Sequence, residues 1–284
     1  MLIKPDGSIL GMNGMLPYFQ VLPFAKYLFQ NFIFSGISLL IVNGLSNLIA
    51  AVLILKNKKI GHILGFVFGI TLMLWICIQF VIFPQNFMSQ SYFIFGLLQF
   101  ISGYVCFVFY CQKTFAEKYN DEFYKSNFKN IGSDKKSLVV YFSRMGYTKK
   151  IAYEKADETG SEILELETTE MTKDTLGFWW CGRFGMHAWG MNLKPYAEKA
   201  NLEQREKVII VTPIWVFSIC GPIRQFCIEN KGKIKRVEYI LNHFNPGKFF
   251  NFANEMDEKL DVKHEKLTSI CTQLSKQIFT RIEK

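Results

Sequence analysis

Acidic side chains are nearly absent from the first 111 residues: Asp6 stands alone against Lys4, Lys26, Lys56, Lys58 and Lys59. From Ile60 to Gln112 there is no formally charged side chain of either sign. That composition excludes a single water-soluble globule, in which about a quarter of residues are charged. Intrinsic disorder and collagen-like repeats are excluded too, because half of the chain is hydrophobic. Also missing is any Cys-x-x-Cys pair. The seven cysteines (Cys77, Cys106, Cys111, Cys181, Cys220, Cys227, Cys271) are odd in number and widely spaced, so no zinc ribbon or iron–sulfur motif is encoded and no metal site is expected. They read as small hydrophobes and reduced cytosolic thiols. The net charge of +9 has no basic stripe behind it, since the remaining 28 of the 33 basic groups are interspersed with 23 of the 24 acids. Nucleic acid is therefore not an expected partner.

What is present in the first part is long apolar runs. Phe32–Leu55, Ile60–Phe83 and Tyr92–Cys111 hold 24, 24 and 20 residues. As helices they would extend roughly 30–36 Å, enough for a hydrocarbon core of ~30 Å. The first run is too long, and lies too far from a basic start, to be a cleaved signal. Lys56-Asn57-Lys58-Lys59 joins the first two runs, whereas Pro84–Ser91 between the second and third is uncharged. Positive loops stay inside. A multi-pass protein of the cell membrane is expected, with its N-terminus outside and its C-terminal part cytoplasmic. Residues 1–111 form the membrane domain, 112–134 a linker and 135–284 a soluble domain. His62, at the edge of its span, reads as an interfacial or helix-end residue, since a haem would want a second axial ligand. Gly61, Gly65 and Gly69 form a small-xxx-small pattern suited to close helix packing. In the linker, Phe115, Tyr119, Phe123 and Tyr124 recur at helical spacing amid charges. The segment reads either as a helical extension whose lysines face lipid headgroups or as a solvated connector.

From Lys135 onward short apolar runs alternate with amphipathic ones. Strands are expected at Leu138–Ser143, Glu162–Glu167, Lys207–Pro213, Val237–His243 and Lys266–Thr272. Helices are expected at Thr148–Thr159, within Lys173–Asn192, at Pro222–Asn230 and at Phe249–Leu260. Alternation of this kind implies a parallel sheet covered on both faces, an α/β architecture with ligands at the strand C-termini. The loop after the first strand, Ser143-Arg144-Met145-Gly146-Tyr147-Thr148, offers hydroxyls and a glycine at a helix start, where backbone N–H groups and the helix dipole favour a phosphate. An ordinary capped helix is the plainer reading. After the third strand, Pro213-Ile214-Trp215-Val216-Phe217 places a large aromatic at the same edge, suited to stacking on a flat ring or to core packing, and Pro222 opens the next helix.

Together the stretches VVYFSRMGYTKKIA and VTPIWVFSICGPIRQF resemble the phosphate loop and first flavin-ring loop of the flavodoxin family, over residues 135–272. The resemblance implies a doubly wound five-stranded parallel sheet of order 2-1-3-4-5, an order the flavodoxin fold itself illustrates. It also implies FMN as cofactor, with the phosphate held by Ser143, Arg144, Met145, Gly146, Tyr147 and Thr148. The ring would contact Pro213, Ile214, Trp215, Val216 and Phe217, with the His243-Phe244-Asn245 loop on its other face. Met145 stands where the family has a hydroxyl residue, so one phosphate bond is missing. Only about a dozen residues follow the fifth strand, which implies a short final helix. The segment Gly177–Met191 (GFWWCGRFGMHAWGM) lies outside the family pattern and reads as a helix packing an aromatic face on the sheet, or as a roof or partner contact. The expected function is a membrane-anchored FMN protein that passes electrons between an unidentified donor and acceptor (a redox protein or a quinone), as a carrier or an NAD(P)H:quinone reductase-like enzyme. The alternative is a flavodoxin-fold scaffold that has lost FMN and binds another protein.

Overall fold

The computed structural model describes residues 3–274 and 276–283. The chain divides into two compact units, Met1–Cys111 and Gln112–Lys284. Among the described residues, three helices are long and apolar enough to cross a membrane: α1 (Ile33–Leu55), α2 (Lys59–Ile82) and α3 (Phe87–Lys118), the last running on into the second unit. α3 exceeds the expected Tyr92–Cys111 at both ends. An apolar run marks where hydrocarbon is tolerated, whereas the backbone hydrogen bonds of a helix continue through the polar residues on either side. Within α1 the stretch Leu40–Leu45 is wound as a π-helix. The small-residue pattern in α2 is used for close approach. A Cβ on Gly61 would lie 2.6 Å from the backbone of Ile54 in α1, and one on Gly69 2.5 Å from that of Phe100 in α3. Between the helices, the Gln99 amide donates to Asn47 Oδ1 (2.6 Å) and to the Gly65 carbonyl (3.0 Å).

The second unit begins with the tail of α3 and with α4 (Asp121–Asn127), capped by the Asn120 side chain, which accepts from the Phe123 N–H at 2.9 Å. There follow β1 (Asp134–Tyr141), α5 (Tyr147–Thr159), β2 (Ser161–Glu165), α6 (Asp174–Met186), β3 (Lys207–Trp215), β4 (Ser218–Ile219), α7 (Gly221–Glu229), β5 (Val237–His243), α8 (Asn251–Leu260), β6 (His264–Gln273) and β7 (Lys276–Glu283). The sheet order is β2-β1-β3-β5-β6-β7, with β4 hanging from β3. Counted alone, the five parallel strands run 2-1-3-4-5, the flavodoxin-like doubly wound order. β7 occupies the place of the expected last helix, pairing antiparallel with β6. Ile278, Thr280 and Ile282 place β-branched residues at every second position of Lys276–Glu283, a strand pattern rather than a helical one.

Both faces of the sheet are covered, which is why its central strands read as unbroken apolar runs. Successive side chains point to opposite faces. Leu138, Val140, Val208 and Ile210 pack with Ile223 and Phe226 of α7 and Ala253 and Met256 of α8. Val139, Tyr141, Ile209 and Val211 pack with Ile151, Ala152 and Ala156 of α5. The largest polar group in the interior is Arg224, only 1% exposed. Its guanidinium donates to both carboxylate oxygens of Glu255 (2.9 and 3.0 Å), to the Ile219 carbonyl (3.1 Å) and to Ser218 Oγ (3.0 Å). Glu255 is also bridged by Lys259 at 3.6 Å, so losing the arginine costs chiefly its buried bonds to Ser218 and the Ile219 carbonyl, about 1–3 kcal/mol. Arg224→Ala is expected to lower the unfolding free energy of the second unit by that order, read on the full chain by denaturant titration of tryptophan emission.

Candidate functional site

Because the five core strands are parallel, their C-terminal ends and the loops that follow share one edge. After β1 the chain reaches Gly146, the N-cap of α5, at φ +90°, a conformation that L side chains rarely adopt. No side chain caps the helix there. The N–H groups of a first helical turn have no partner within the helix and carry the positive end of its dipole. Ser143 Oγ accepts from the Gly146 N–H at 3.0 Å, closing the turn. Thr148 is 2% exposed, and its hydroxyl oxygen accepts from the Asn242 amide at 3.1 Å, leaving its proton to be donated elsewhere. The other end of that amide, Asn242 Oδ1, is buried and has no hydrogen-bond partner. A buried polar atom without a partner costs about 1–3 kcal/mol. The loop thus combines an uncapped helix start, a close-approach glycine and an unfilled polar position below it.

Arg144 turns away toward α6. Its guanidinium lies 5.4 Å over the Phe178 ring and donates to the Asp174 carbonyl (3.4 Å), and burial pulls its pKa below the usual arginine value. Met145 is half-buried in the same loop. Tyr147 opens α5 with its ring 4.3 Å from that of Phe115, which would also lie 3.6 Å from a Cβ on Gly146. Phe115 is 5% exposed and Tyr124 2%, Tyr124 packing on Tyr153 of α5 at 4.3 Å. Lys149 adds an ion pair to Asp121 of α4 (2.9 Å). Much of the linker's aromatic face is therefore spent on α5, where aromatic and cation–π contacts are available, so the segment is not a solvated connector.

The second loop is a two-residue turn. Trp215 pairs with Ser218 across it, and Val216 and Phe217 both take positive φ, 46° and 58°. Such turns favour Asn-Gly, and a β-branched residue there is strained. Strain of this kind concentrates at functional sites. Its result is that Val216 and Phe217 are presented outward, 50% and 65% exposed. Trp215 is half-buried, edge-on to Phe142 at 5.5 Å. Pro213 lies beside Asn242 in the parallel register, and Ile214 packs at the margin of the core.

In the third loop His243 is 3% exposed with both ring nitrogens engaged, Nδ1 with the Asn245 carbonyl (2.6 Å) and Nε2 with Ser269 Oγ (2.7 Å). Its side chain braces the loop from below. Phe244 is exposed, and Asn245 Oδ1 accepts from the Gly247 N–H at 2.8 Å.

α6 reverses the expectation that its aromatics pack on the sheet. Trp179 is 70% exposed and Phe178 51%, while Cys181 is 3% exposed. Cys181 and Gly185, one turn apart, form the inner stripe: a Cβ on Gly185 would lie 2.7 Å from the Trp215 carbonyl, while Gly177 is held close to Thr172 of the preceding loop. Small residues win that face because the helix comes too close to the strand ends for larger ones. Burial pushes the Cys181 thiol up to about 11, against a nucleophilic role at neutral pH.

Of the residues predicted from sequence, Ser143, Gly146 and Thr148 form the closed turn, and Pro213, Ile214 and Trp215 line the adjoining strand end. Arg144 and the His243 side chain are engaged elsewhere. Asn242 and Phe115 were missed. The sequence signal for Asn242 is a lone amide at the end of the apolar β5 run; for Phe115 none exists, since its contact is tertiary.

No family model and no curated protein matches the sequence. Among solved structures, the second unit is similar to a Lactobacillus acidophilus flavoprotein in complex with FMN (19% identity, 48% of this chain, 93% of that chain, TM-score 0.39). It is also similar to candidate flavoproteins of Bacteroides eggerthii (21% identity, 50% and 92%, TM-score 0.41) and Bacteroides uniformis (20% identity, 50% and 96%, TM-score 0.41).

Burial, reinforced by the nearby Arg281 charge, holds His243 below the ordinary histidine value of 6.5, although its bond to Asn245 works the other way. The unfolded chain therefore takes up a proton that the folded one refuses. The stability this gives is whole above about pH 6.5 and is lost as pH falls toward the folded value. Melting temperature should fall as pH drops below about 6.5 in the native chain, and His243→Gln should flatten that slope.

Proposed function

We propose that the second unit binds FMN at this edge, and that the three apolar helices anchor it in the cell membrane with the flavin site on the cytoplasmic face. The observation that carries the reading is the uncapped start of α5 at Gly146, with the buried Thr148 hydroxyl and the unpaired Asn242 Oδ1 beneath it. A helix start of this form suits a phosphate group. Ser143, Gly146 and Thr148 would hold the phosphate, while Arg144 is already committed to α6. Trp215, with Pro213 and Ile214, would bound one side of the ring, and Phe244 and Asn245 the other. When bound, FMN supplies the redox chemistry. The chain's own residues would orient it: the Thr148 hydroxyl, its oxygen held by Asn242, would be free to donate to the phosphate, and Val216 and Phe217 would border the ring. With Arg144 committed to α6, the phosphate would rest on backbone and hydroxyl donors, and moderate affinity is expected.

The protein would pass electrons between a donor and an acceptor, a redox protein or a quinone. Rapid NAD(P)H oxidation on adding a quinone would make it a reductase; its absence, a carrier. Met145, which supplies no hydroxyl, and Phe115, packed over Gly146, favour the second reading, a scaffold without flavin.

Titrating the full chain in detergent with FMN separates the two, flavin fluorescence being quenched only if the cofactor is bound. A hydrogen bond to a charged group contributes ~1.5–3 kcal/mol, roughly ten- to hundredfold in affinity. Thr148→Val should weaken FMN by that factor and leave riboflavin, which lacks the phosphate, unchanged. Trp215→Leu should weaken both by about two- to tenfold. A colourless protein that quenches neither flavin is the scaffold.

A further inference from the structure

Helix α6 carries its apolar stripe on the side that meets solvent. Cys181 and Gly185 form its inner face, whereas Leu176, Trp179, Trp180, Arg183 and Met186 recur at i, i+3, i+4, i+7 and i+10, the spacing of one helical stripe. On a helix packed against a sheet, the outward stripe is ordinarily the polar one. Here Leu176 and Met186 are 69% and 70% exposed, and Trp180 and Trp189, the latter just beyond the helix, are exposed as well. Between Asp174 and Glu198 the sequence has no carboxylate, although the second unit as a whole mixes acids with bases. Arg183 faces indoles instead, its guanidinium 5.8 Å over the rings of Trp180 and Trp189. Glu170, outside that stretch, accepts from Trp180 Nε1 at 3.0 Å and ties the ring to the domain. Single apolar side chains on a surface need no explanation, but a contiguous exposed patch marks an interaction site.

The make-up of the stripe selects its partner. Tryptophan with leucine and methionine, and a cation set among the rings without an acid beside it, suits a helix lying in the headgroup layer of a bilayer. There apolar side chains reach the acyl boundary and basic groups meet anionic phosphates. A protein surface could accept the same rings, but it would have to be supplied. The bilayer comes with the chain, since the three apolar helices, read as an anchor, keep lipid at high effective concentration. We propose that α6 docks on the membrane surface, with Leu176, Trp179, Trp180 and Met186 in the interface and Arg183 on a headgroup phosphate. The inference rests on the membrane-anchor reading of the first unit and is independent of FMN. On the flank of α6, a Cβ on Gly182 would lie 3.8 Å from the Val216 side chain, so docking would bring the Val216–Phe217 turn toward the headgroups.

The test is tryptophan emission from the full chain, one copy per nanodisc of phosphatidylcholine and phosphatidylglycerol held by a tryptophan-free belt protein. Trp75→Phe first removes the indole of the spanning helix. In discs whose acyl chains carry bromine, a short-range quencher, the Trp75→Phe chain is expected to lose much of the emission it shows in unbrominated discs. Adding Trp179→Ser and Trp180→Ser, both at exposed positions, should remove most of that loss with circular dichroism unchanged. Arg183→Gln should diminish it. Emission that bromine leaves intact and aqueous acrylamide quenches overturns the proposal and leaves the stripe to a protein partner. So does a bromine-dependent loss that persists in full without Trp179 and Trp180. Retention of the native chain in membranes through an alkaline carbonate wash reports the anchor separately. A chain that the wash releases, yet whose stripe bromine quenches, overturns the anchor reading and not this one.

Discussion

The parallel alignment of β1, β3 and β5 is the constraint on which the site depends. Strands that run the same way must end on the same side, so residues far apart in sequence meet where no local rule would bring them. Thr148 and Asn242, 94 positions apart, form one hydrogen bond across this edge. That bond orients the threonine hydroxyl and at the same time strands the far end of the amide. The register is held by apolar contacts on both faces, and the edge can therefore carry unpaired polar atoms and a strained turn without losing its shape.

Strain and exposure are distributed unevenly around that edge. The Val216–Phe217 turn sits in a conformation its side chains disfavour, and α6 beside it shows tryptophans to solvent while glycines face inward. The two features have one cause. A helix with small residues at every fourth position can press against the end of β3, which fixes the turn and leaves the bulky residues nowhere to go but outward. Beneath the third loop, by contrast, His243 and Ser269 satisfy each other in the interior.

Much of this was legible beforehand because it is periodic. Runs such as Leu138–Phe142 and Val208–Val211 announce strands buried on both faces, and the Pro222 helix start and the apolar spans follow from local chemistry. β5 was read to the residue. What escaped depends on contacts between distant segments. The four-residue spacing of Cys181 and Gly185 is visible, but that it forms the inner face follows only from the proximity of Trp215. The final strand departs from the short helix that the family resemblance implies, because Ile278, Thr280 and Ile282 recur with a strand's period and the segment pairs with β6. Arg144 looks like an anion ligand until α6 offers it an aromatic ring and a carbonyl.

The burial of Phe115 and Tyr124 against α5 bears on where a water-soluble fragment of this chain should begin. Cut at residue 135, where the strand–helix alternation starts, the fragment would bare Tyr153 and the loop around Gly146 and invite aggregation. Begun at Gln112, it would carry its own aromatic cover, so the natural seam for expression lies inside the helix that leaves the apolar region and not at the first strand.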